Sequence, residues 1–211
     1  MNLGELRTEI LLNLAREDAA TQSMIDTEIN QLLTQVLPRK RMSAFLKVDA
    51  TLETSDGVEY VDLPSDFAQM FWIQWRRNAT DDWSNFRVLE ADMMGLIDEG
   101  EPLYGRVMLQ SSGTWRFYMR FIPDTTYYVR LFYYAQETAL TDPAHEANLS
   151  VAGFDDVLLA GATYRVALRL KLRDEIAIWG KQYKTYVAEL RSWQGNLWGE
   201  RTEFALQGLY V

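Results

Sequence analysis

The chain of 211 residues contains no cysteine. That excludes disulfides, cysteine-ligated zinc and thiol catalysis. It contains one histidine, His145, so a serine–histidine–aspartate relay could only run through that residue, and no G-x-S-x-G surrounds any serine. The phosphate-cradling patterns G-x-x-x-x-G-K-[ST] and G-x-G-x-x-G are missing too. Long apolar runs are absent: no stretch approaches the roughly 18 uncharged apolar residues of a membrane span. Charge interrupts the opening Met-Asn-Leu-Gly-Glu-Leu-Arg before any apolar segment forms, so cytosolic synthesis without a secretory signal is the expectation. On that footing the glycosylation-like triplets at Asn78 and Asn148 read as chance. Basic clusters are scarce, and at a net charge of −9 a general nucleic-acid binder is disfavoured, because phosphate neutralisation needs grouped Lys and Arg.

What is present is ordinary in bulk and uneven in placement. Hydrophobic residues make up 48% and charged residues 24%, the proportions of a folded chain that can bury a core as one domain with a subdomain. From Val48 to Ser150 there are 17 acidic and 7 basic residues, whereas 1–47 balance at 6 of each and 151–211 carry 7 acids and 8 bases. The same cuts divide the chain by pattern, with helical periodicity in the flanks and strand alternation between. Aromatics are plentiful, with 7 Trp, 11 Tyr and 9 Phe. They fit a strand-rich core or a protein–protein contact surface, where Trp and Tyr are enriched.

Leu3, Leu6, Ile10 and Leu14 recur at spacings of three and four, which predicts a helix over 3–16. Asn2 caps it, with Glu5 placed for a capping box. A second helix, starting near Thr21 or Ser23, carries the stripe Ile25, Ile29, Leu32, Leu33, Val36 and breaks or kinks at Pro38. Strand signals begin near Val48. Thr51–Thr54 and Glu59–Asp62 flank Asp56-Gly57, which predicts a tight hairpin. Leu63–Phe67 reads as a turn, Met70–Arg76 and Trp83–Leu89 as strands, and Glu90–Asp98, with Met93, Met94 and Ile97, as a short helix. A three-strand meander follows over Tyr104–Gln110, Thr114–Phe121 and Thr126–Ala135, its alternation predicting a half-buried antiparallel sheet. Leu140–Ala152 is a connector. Phe154–Arg173 reads as a long helix with Asp155 and Asp156 in its first turn. A further helix from Asp174 carries Ile176, Trp179, Tyr183, Tyr186, Val187, Leu190 and Trp193 until Gly195 and Gly199 end it.

Few residues invite chemistry. His145 lies in the loop Asp142-Pro143-Ala144-His145-Glu146 and is a poor ligand without a second histidine. Asp81-Asp82 reads as turn chemistry and Asp155-Asp156 as a helix start; with Asp98-Glu99, they are the adjacent acid pairs that glycoside cleavage would have to bring together across a cleft. Arg39-Lys40-Arg41, the one basic run, is either a solvated helix end or a contact to DNA phosphates or an acidic neighbouring subunit. The last twelve residues, 200–211, hold Phe204, Leu206, Leu209, Tyr210 and Val211 without a helical or strand period. Such a segment either folds back on the core or docks on another protein.

The order of elements resembles the head–tail adaptor (connector) proteins of tailed bacteriophages. Leu3-Gly4-Glu5-Leu6-Arg7 with the helices after it carries the likeness, as do Tyr60-Val61-Asp62-Leu63-Pro64-Ser65-Asp66-Phe67, the run Tyr127–Tyr134 with Ala139-Leu140-Thr141-Asp142, and Phe154-Asp155-Asp156-Val157-Leu158-Leu159. It is similar, more loosely, to the tail tubular protein A group of short-tailed phages. The resemblance implies a homo-oligomeric ring, usually of twelve copies, beneath the portal protein. It implies that the ring extends the DNA channel and offers a platform to the next tail protein, with DNA passing without sequence-specific binding. Helices would form the wall near the channel, the β part would face outward or toward the tail, and the C-terminal segment, Phe204 to Val211, would grip the portal. No catalytic residue, cofactor, metal or membrane contact is implied.

The expectation is therefore an α+β protein. Residues 1–47 and 151–199 form a helical bundle, 48–150 an acidic antiparallel β insertion, and 200–211 a docking tail. The role expected is a structural virion protein at the head–tail junction. Two other readings stand beside it: a carbohydrate- or protein-binding module of a phage tail or baseplate, and a carboxylate-dependent glycosidase.

Overall fold

The computed structural model describes residues 1–41, 45–88, 98–147 and 153–207, the stretch 193–207 as backbone path. The fold is α+β, as expected. The chain divides into two compact units, Phe45–Ala135 on one side and Met1–Ala44 with Gln136–Val211 on the other.

The second of these is helical. Helix α1 (Leu3–Asn13) has its capping box in place: Glu5 N donates to Asn2 Oδ1 and Asn2 N to Glu5 Oε2, each at 2.9 Å. Leu3, Leu6 and Ile10 are its buried face. Helix α2 (Ala19–Gln31) begins earlier than Thr21 because Asp18 is its cap, accepting from Thr21 N at 2.8 Å. A bond from the Thr21 hydroxyl, and then this backbone bond, hold the Asp18 carboxyl below its ordinary pKa. After α2 the chain does not simply break at Pro38. Leu32–Val36 widen into a π-helical turn, in which Leu37 N donates to Leu32 O at 2.9 Å, and Pro38–Lys40 form a 3-10 turn. A regular helix would drive the Pro38 ring into the Thr34 carbonyl; the wider turn avoids this.

Helix α3 (Asp155–Leu170) stops at Leu170, where Lys171 adopts a left-handed φ of 59°, and α4 (Arg173–Gln207) begins two residues on. The helix stops expected at Gly195 and Gly199 do not occur, since α4 runs through both. Helices α3 and α4 form a hairpin whose close approach depends on small residues. A Cβ on Gly161 would lie 2.9 Å from the Tyr183 ring and 3.0 Å from Leu32, and one on Gly180 would lie 3.0 Å from the Tyr164 ring. The Tyr164 and Tyr183 rings stack between these glycines, with centroids 6.4 Å apart. The connector closes the unit. Asn30 bonds both backbone groups of Leu140, at 2.7 and 3.0 Å, while Leu3 N and Gly4 N donate to the carbonyls of His145 and Pro143.

The β unit contains β1 (Leu46–Glu53), β2 (Tyr60–Asp62), β3 (Phe67–Arg76), β4 (Ser84–Asn85), β5 (Arg87–Val88), β6 (Asp98–Gly100), β7 (Tyr104–Leu109), β8 (Trp115–Met119), β9 (Phe121–Pro123) and β10 (Tyr128–Ala135). They assemble as β1-β10-β3-β4, as β2-β8-β7-β5, and as a β6-β9 pair. Two expectations fail here. Asp56-Gly57 is a turn, with Gly57 at φ 72°, but β1 and β2 do not pair: the turn is a crossover that sends β1 to β10 and β2 to β8. The three-strand meander is likewise a single hairpin, β7–β8, because β10 leaves to join β1 and β3. Burial explains both. Val61 and Phe117 line one side of a shared core, Val129, Leu131, Ile73 and Trp75 the other, and local hairpins would have placed these apolar sets in a single layer with nothing to cover it. The strand expected over Trp83–Leu89 is two short pieces, β4 and β5, and the helix expected over Glu90–Asp98 lies outside the described residues save for Asp98, which opens β6.

The core joins aromatic edges to faces. Phe86 meets Phe117 at 4.9 Å and 72°, and Trp75 meets Tyr127 at 5.2 Å and 87°, the tilted geometries that aromatic quadrupoles favour. The β7–β8 approach is tight enough that a Cβ on Gly105 would sit 2.4 Å from Phe117 and 2.5 Å from the Tyr118 carbonyl.

Candidate interaction surfaces

Among the described residues no three His, Asp or Glu groups come together as a metal site. His145 is exposed, and its role is through its backbone. One acid of each of two pairs meets a structural partner, and the side chains of Asp98 and Glu99 lie outside the described residues. Asp81 Oδ2 accepts from Asn78 N at 2.8 Å and Asn78 Nδ2 at 2.9 Å, closing a turn. Asp155 accepts from the Met1 ammonium at 2.9 Å, and that hydrogen bond, ahead of the charge attraction, raises the ammonium pKa.

The β unit presents one face that is not core. Alternation along β3 and β10 turns Ile73, Trp75, Val129, Leu131 and Tyr133 inward. Strand register then sets the opposite residues side by side, with Tyr128 beside Arg76, Arg130 beside Gln74 and Phe132 beside Trp72. The register slips between Phe132 and Tyr133, where Tyr133 faces Met70 and leaves Phe71 as an extra residue. Such a bulge lets consecutive residues escape strict alternation, and Phe71 and Trp72 are both exposed, at 46% and 42%. Trp72 and Phe132 lie 5.9 Å apart.

Two arginines share one ring on this face. The Arg76 guanidinium lies 4.4 Å and that of Arg130 4.3 Å from the Trp83 ring centre. Arg130 also donates to Gln74 Oε1 from Nε at 3.1 Å and from NH2 at 2.6 Å, while Gln74 Nε2 donates to Asn85 Oδ1 at 3.0 Å. Burial, and then the like charge of Arg76, lower the Arg130 pKa. No carboxylate among the described residues meets either guanidinium; the ion pairs of the β unit are elsewhere, Lys47 with Asp66 and Arg116 with Asp62. Each cation–π contact contributes about 0.5–2 kcal/mol according to its desolvation. Trp and Arg on one face are the residue types that dominate binding hot spots.

The helical unit contains a buried charge. Glu28 is 1% exposed; Arg165 Nε donates to its Oε2 and Arg169 Nε faces its Oε1 as an ion pair. Arg165 NH2 also donates to Gln31 Oε1 at 2.7 Å. The basic run lies at the end of the π-helical segment. Arg39 and Lys40 occupy the 3-10 turn and Arg41 its left-handed cap, with Lys40 Nζ 5.8 Å from the Tyr183 ring centre. Lys40 is thus drawn to the helical hairpin, while Arg39 and Arg41 are exposed. Of the tail, Phe204 and Leu206 fall on the backbone of α4, and Leu209, Tyr210 and Val211 lie outside the described residues.

Sequence reasoning missed Glu28 and the arginine–tryptophan face. Signals for both were present. Glu28 sits between Ile25 and Ile29 on the apolar stripe, and Arg76 and Arg130 fall on the outward parity of their strands. The model of the SU10 adaptor protein family matches residues 1–203, and no curated protein matches the chain.

Proposed function

The chain belongs to the SU10 adaptor protein family, a family of bacteriophage head–tail adaptors, and we propose that it forms a ring beneath the portal that extends the DNA channel and joins head to tail. The coarse role follows from the family: a structural component of the virion that assembles with others at the head–tail junction. The ring, its twelvefold symmetry, the portal contact and the passage of DNA through the lumen are the proposal. The observation that carries it is the family match across residues 1–203. A ring needs two different complementary patches on each subunit, and the aromatic face of the β unit is a candidate for one. In this reading the segment 200–211, with Phe204, Leu206, Leu209, Tyr210 and Val211, docks on the portal, and Arg39, Lys40 and Arg41 supply a basic contact. An acidic protein leaves few phosphate contacts and lets DNA slide.

Electron microscopy of the purified protein mixed with portal tests the ring. Annular particles seated on the portal are expected, and a monomer that ignores portal at high concentration refutes it. Deleting 200–211 should remove only the end of α4 and leave the rest of the fold intact by circular dichroism while heads no longer acquire the adaptor; normal joining dismisses the tail contact alone. The exposed Trp72 ring favours a second reading, a module that stacks on sugar rings. Glycan-array binding without ring formation would establish it.

A further inference from the structure

We infer that the outward face of the sheet β2-β8-β7-β5, which carries Arg87, Arg106, Arg116 and Arg120, binds the phosphate backbone of double-stranded DNA without reading its bases. The inference goes beyond the ring reading and does not depend on it. Three observations carry it, all within the β unit.

The first is placement. Val61, Phe86, Phe117 and Met119 belong to the core, so alternation turns their neighbours Tyr60, Asp62, Arg87, Arg116 and Tyr118 outward. Register lays this side out in three rows. Arg87 stands beside Tyr104, whose carbonyl accepts from Arg120 N at 2.9 Å. Arg106 stands beside Tyr118 and Tyr118 beside Tyr60; Met108 stands beside Arg116 and Arg116 beside Asp62. The two four-stranded sheets cover one core from either side, so this face looks away from the one that carries Trp72 and Arg130.

The second is charge. Residues 45–135 hold 14 acids and 8 bases, yet these rows collect four of the bases and one acid, Asp62. Asp62 accepts from Arg116 Nε at 2.6 Å and occupies that one guanidinium. Arg87 is exposed and its NH1 meets a neutral partner, the Tyr104 hydroxyl, at 3.5 Å. Arg120 Nε is buried with no hydrogen-bond partner among the described residues. A net charge of −9 for the whole chain thus conceals a local basic surface.

The third is the state of the aromatic rings, which selects the partner. The Arg116 guanidinium lies 4.0 Å from the Tyr60 ring centre and that of Arg87 5.9 Å from Tyr104, and the Tyr60 and Tyr118 rings are 5.6 Å apart. All three tyrosines are half-buried. Rings engaged in this way offer little flat surface to a base and no dry apolar anchor of the kind that holds a protein partner. The exposed Phe71 and Trp72 lie on the other sheet. What this face turns outward is guanidinium and phenol hydrogen-bond donors, which suit phosphate oxygens and carry no sequence information. Four arginines, less the one held by Asp62, match about three phosphates, so log K should fall against log salt with a slope of about −3. Such contact is weak for one copy, as a conduit that lets DNA slide requires.

Fluorescence anisotropy of a labelled duplex with the full chain, from about 50 to 200 mM salt, tests this. Arg87→Gln with Arg106→Gln should flatten the slope to about −1 and weaken binding about tenfold or more at the lower salt. Arg76→Gln with Arg130→Gln removes the same charge from the opposite face and should leave the slope unchanged; an equal loss in both variants overturns the inference, because net charge alone would then explain it. Asp62→Asn releases Arg116 and should steepen the slope to about −4 with tighter binding, a gain that misfolding cannot produce; no gain overturns the inference. Duplexes of different sequence should bind alike, and a preference among them overturns contact through phosphates alone. A parent chain without salt-dependent DNA binding overturns the inference and leaves the ring reading standing. If the Arg87 and Arg106 variant keeps its DNA binding but no longer associates with a second copy or with portal, the face is a protein contact and the inference falls.

Discussion

Removing both Arg165 and Arg169 should cost the helical unit more than removing the carboxylate that they clamp. Glu28 is 1% exposed, whereas the side chains of Arg165 and Arg169 are 30% and 48% exposed. The acid therefore depends on the arginines for its counter-charge, but the arginines can turn to water. Arg165→Met with Arg169→Met leaves a buried carboxylate without a cation, which costs about 3–5 kcal/mol. For a chain of this size that is a fall in Tm of about 10 °C. Glu28→Gln keeps the shape and a hydrogen-bond acceptor for Arg165, so about 1 kcal/mol is expected. Arg169 alone should matter least, being half-exposed and without an aligned hydrogen bond to Oε1. Adding Glu28→Met to the double arginine variant should recover most of the loss, since an apolar trio replaces an ionic one at little net cost. Urea unfolding followed by far-ultraviolet circular dichroism reads all four. The reasoning is refuted if the double arginine variant lies within about 1 kcal/mol of the parent, or if Glu28→Met fails to rescue it.

The glycines and a buried tyrosine give further outcomes. Gly161→Ala gains helix propensity of about 1 kcal/mol but drives a methyl to 2.9 Å from the Tyr183 ring, so net destabilisation of about 1–3 kcal/mol is expected; a rise in Tm would contradict the close packing of α3 on α4. Gly105→Ala should be worse, because one of its obstacles, the Tyr118 carbonyl at 2.5 Å, is backbone and cannot rotate away. Burial, and then the hydrogen bond to Asp124, push the Tyr127 hydroxyl from 10.0 up to about 12. A raised folded-state value means that its contribution is complete below pH 10 and disappears as pH climbs toward about 12. Burial holds Tyr133 and Tyr183 above the ordinary value as well, so alkaline titration by ultraviolet difference absorbance should show several late-ionising tyrosines, one fewer in Tyr127→Phe, with stability falling across that window; an unchanged late phase in that variant would contradict the burial.

Local chemistry was legible and long-range pairing was not. Asn2 and Glu5 announce a capping box because both partners lie within one turn. The inward set Val129, Leu131, Tyr133 follows from period two. The choice of partner strand has no such local signature. Asp56-Gly57 makes the same turn whether the flanking strands pair or part, and what decides is the core that Val61 and Val129 enter from opposite sheets. The bulge at Phe71 was hidden for a related reason: one inserted residue is visible only against the partner strand. In the helices, Gly195 and Gly199 read as stops by intrinsic preference, yet α4 passes through them. Gly180, in the same helix, shows how a mid-helix glycine can serve packing, because the Tyr164 ring comes within 3.0 Å of where its Cβ would be. Glu28 sits on an apolar stripe, and a charge there signals burial only if its counterions, 137 positions away in the case of Arg165, are already known.

The arginine–tryptophan face makes sense as a surface held ready, and the argument turns on Gln74. That position touches Arg130 with two hydrogen bonds and is nearly buried. A glutamate of the same length would accept both bonds and neutralise the cation, with charge-assisted bonds roughly twice as strong as neutral ones. The β unit is rich in acids elsewhere and uses two of them, Asp62 and Asp66, to pair Arg116 and Lys47. An amide at position 74 orients Arg130 without discharging it. Stability alone does not account for an amide there: it leaves Arg130 and Arg76 repelling each other beside Trp83. The same reasoning separates the two aromatic populations that composition could not. Phe117 meets Phe86 and Tyr127 meets Trp75 edge to face inside and hold the β unit together, while Phe132 and Trp83 lie beside arginines outside, with Trp72 next to Phe132.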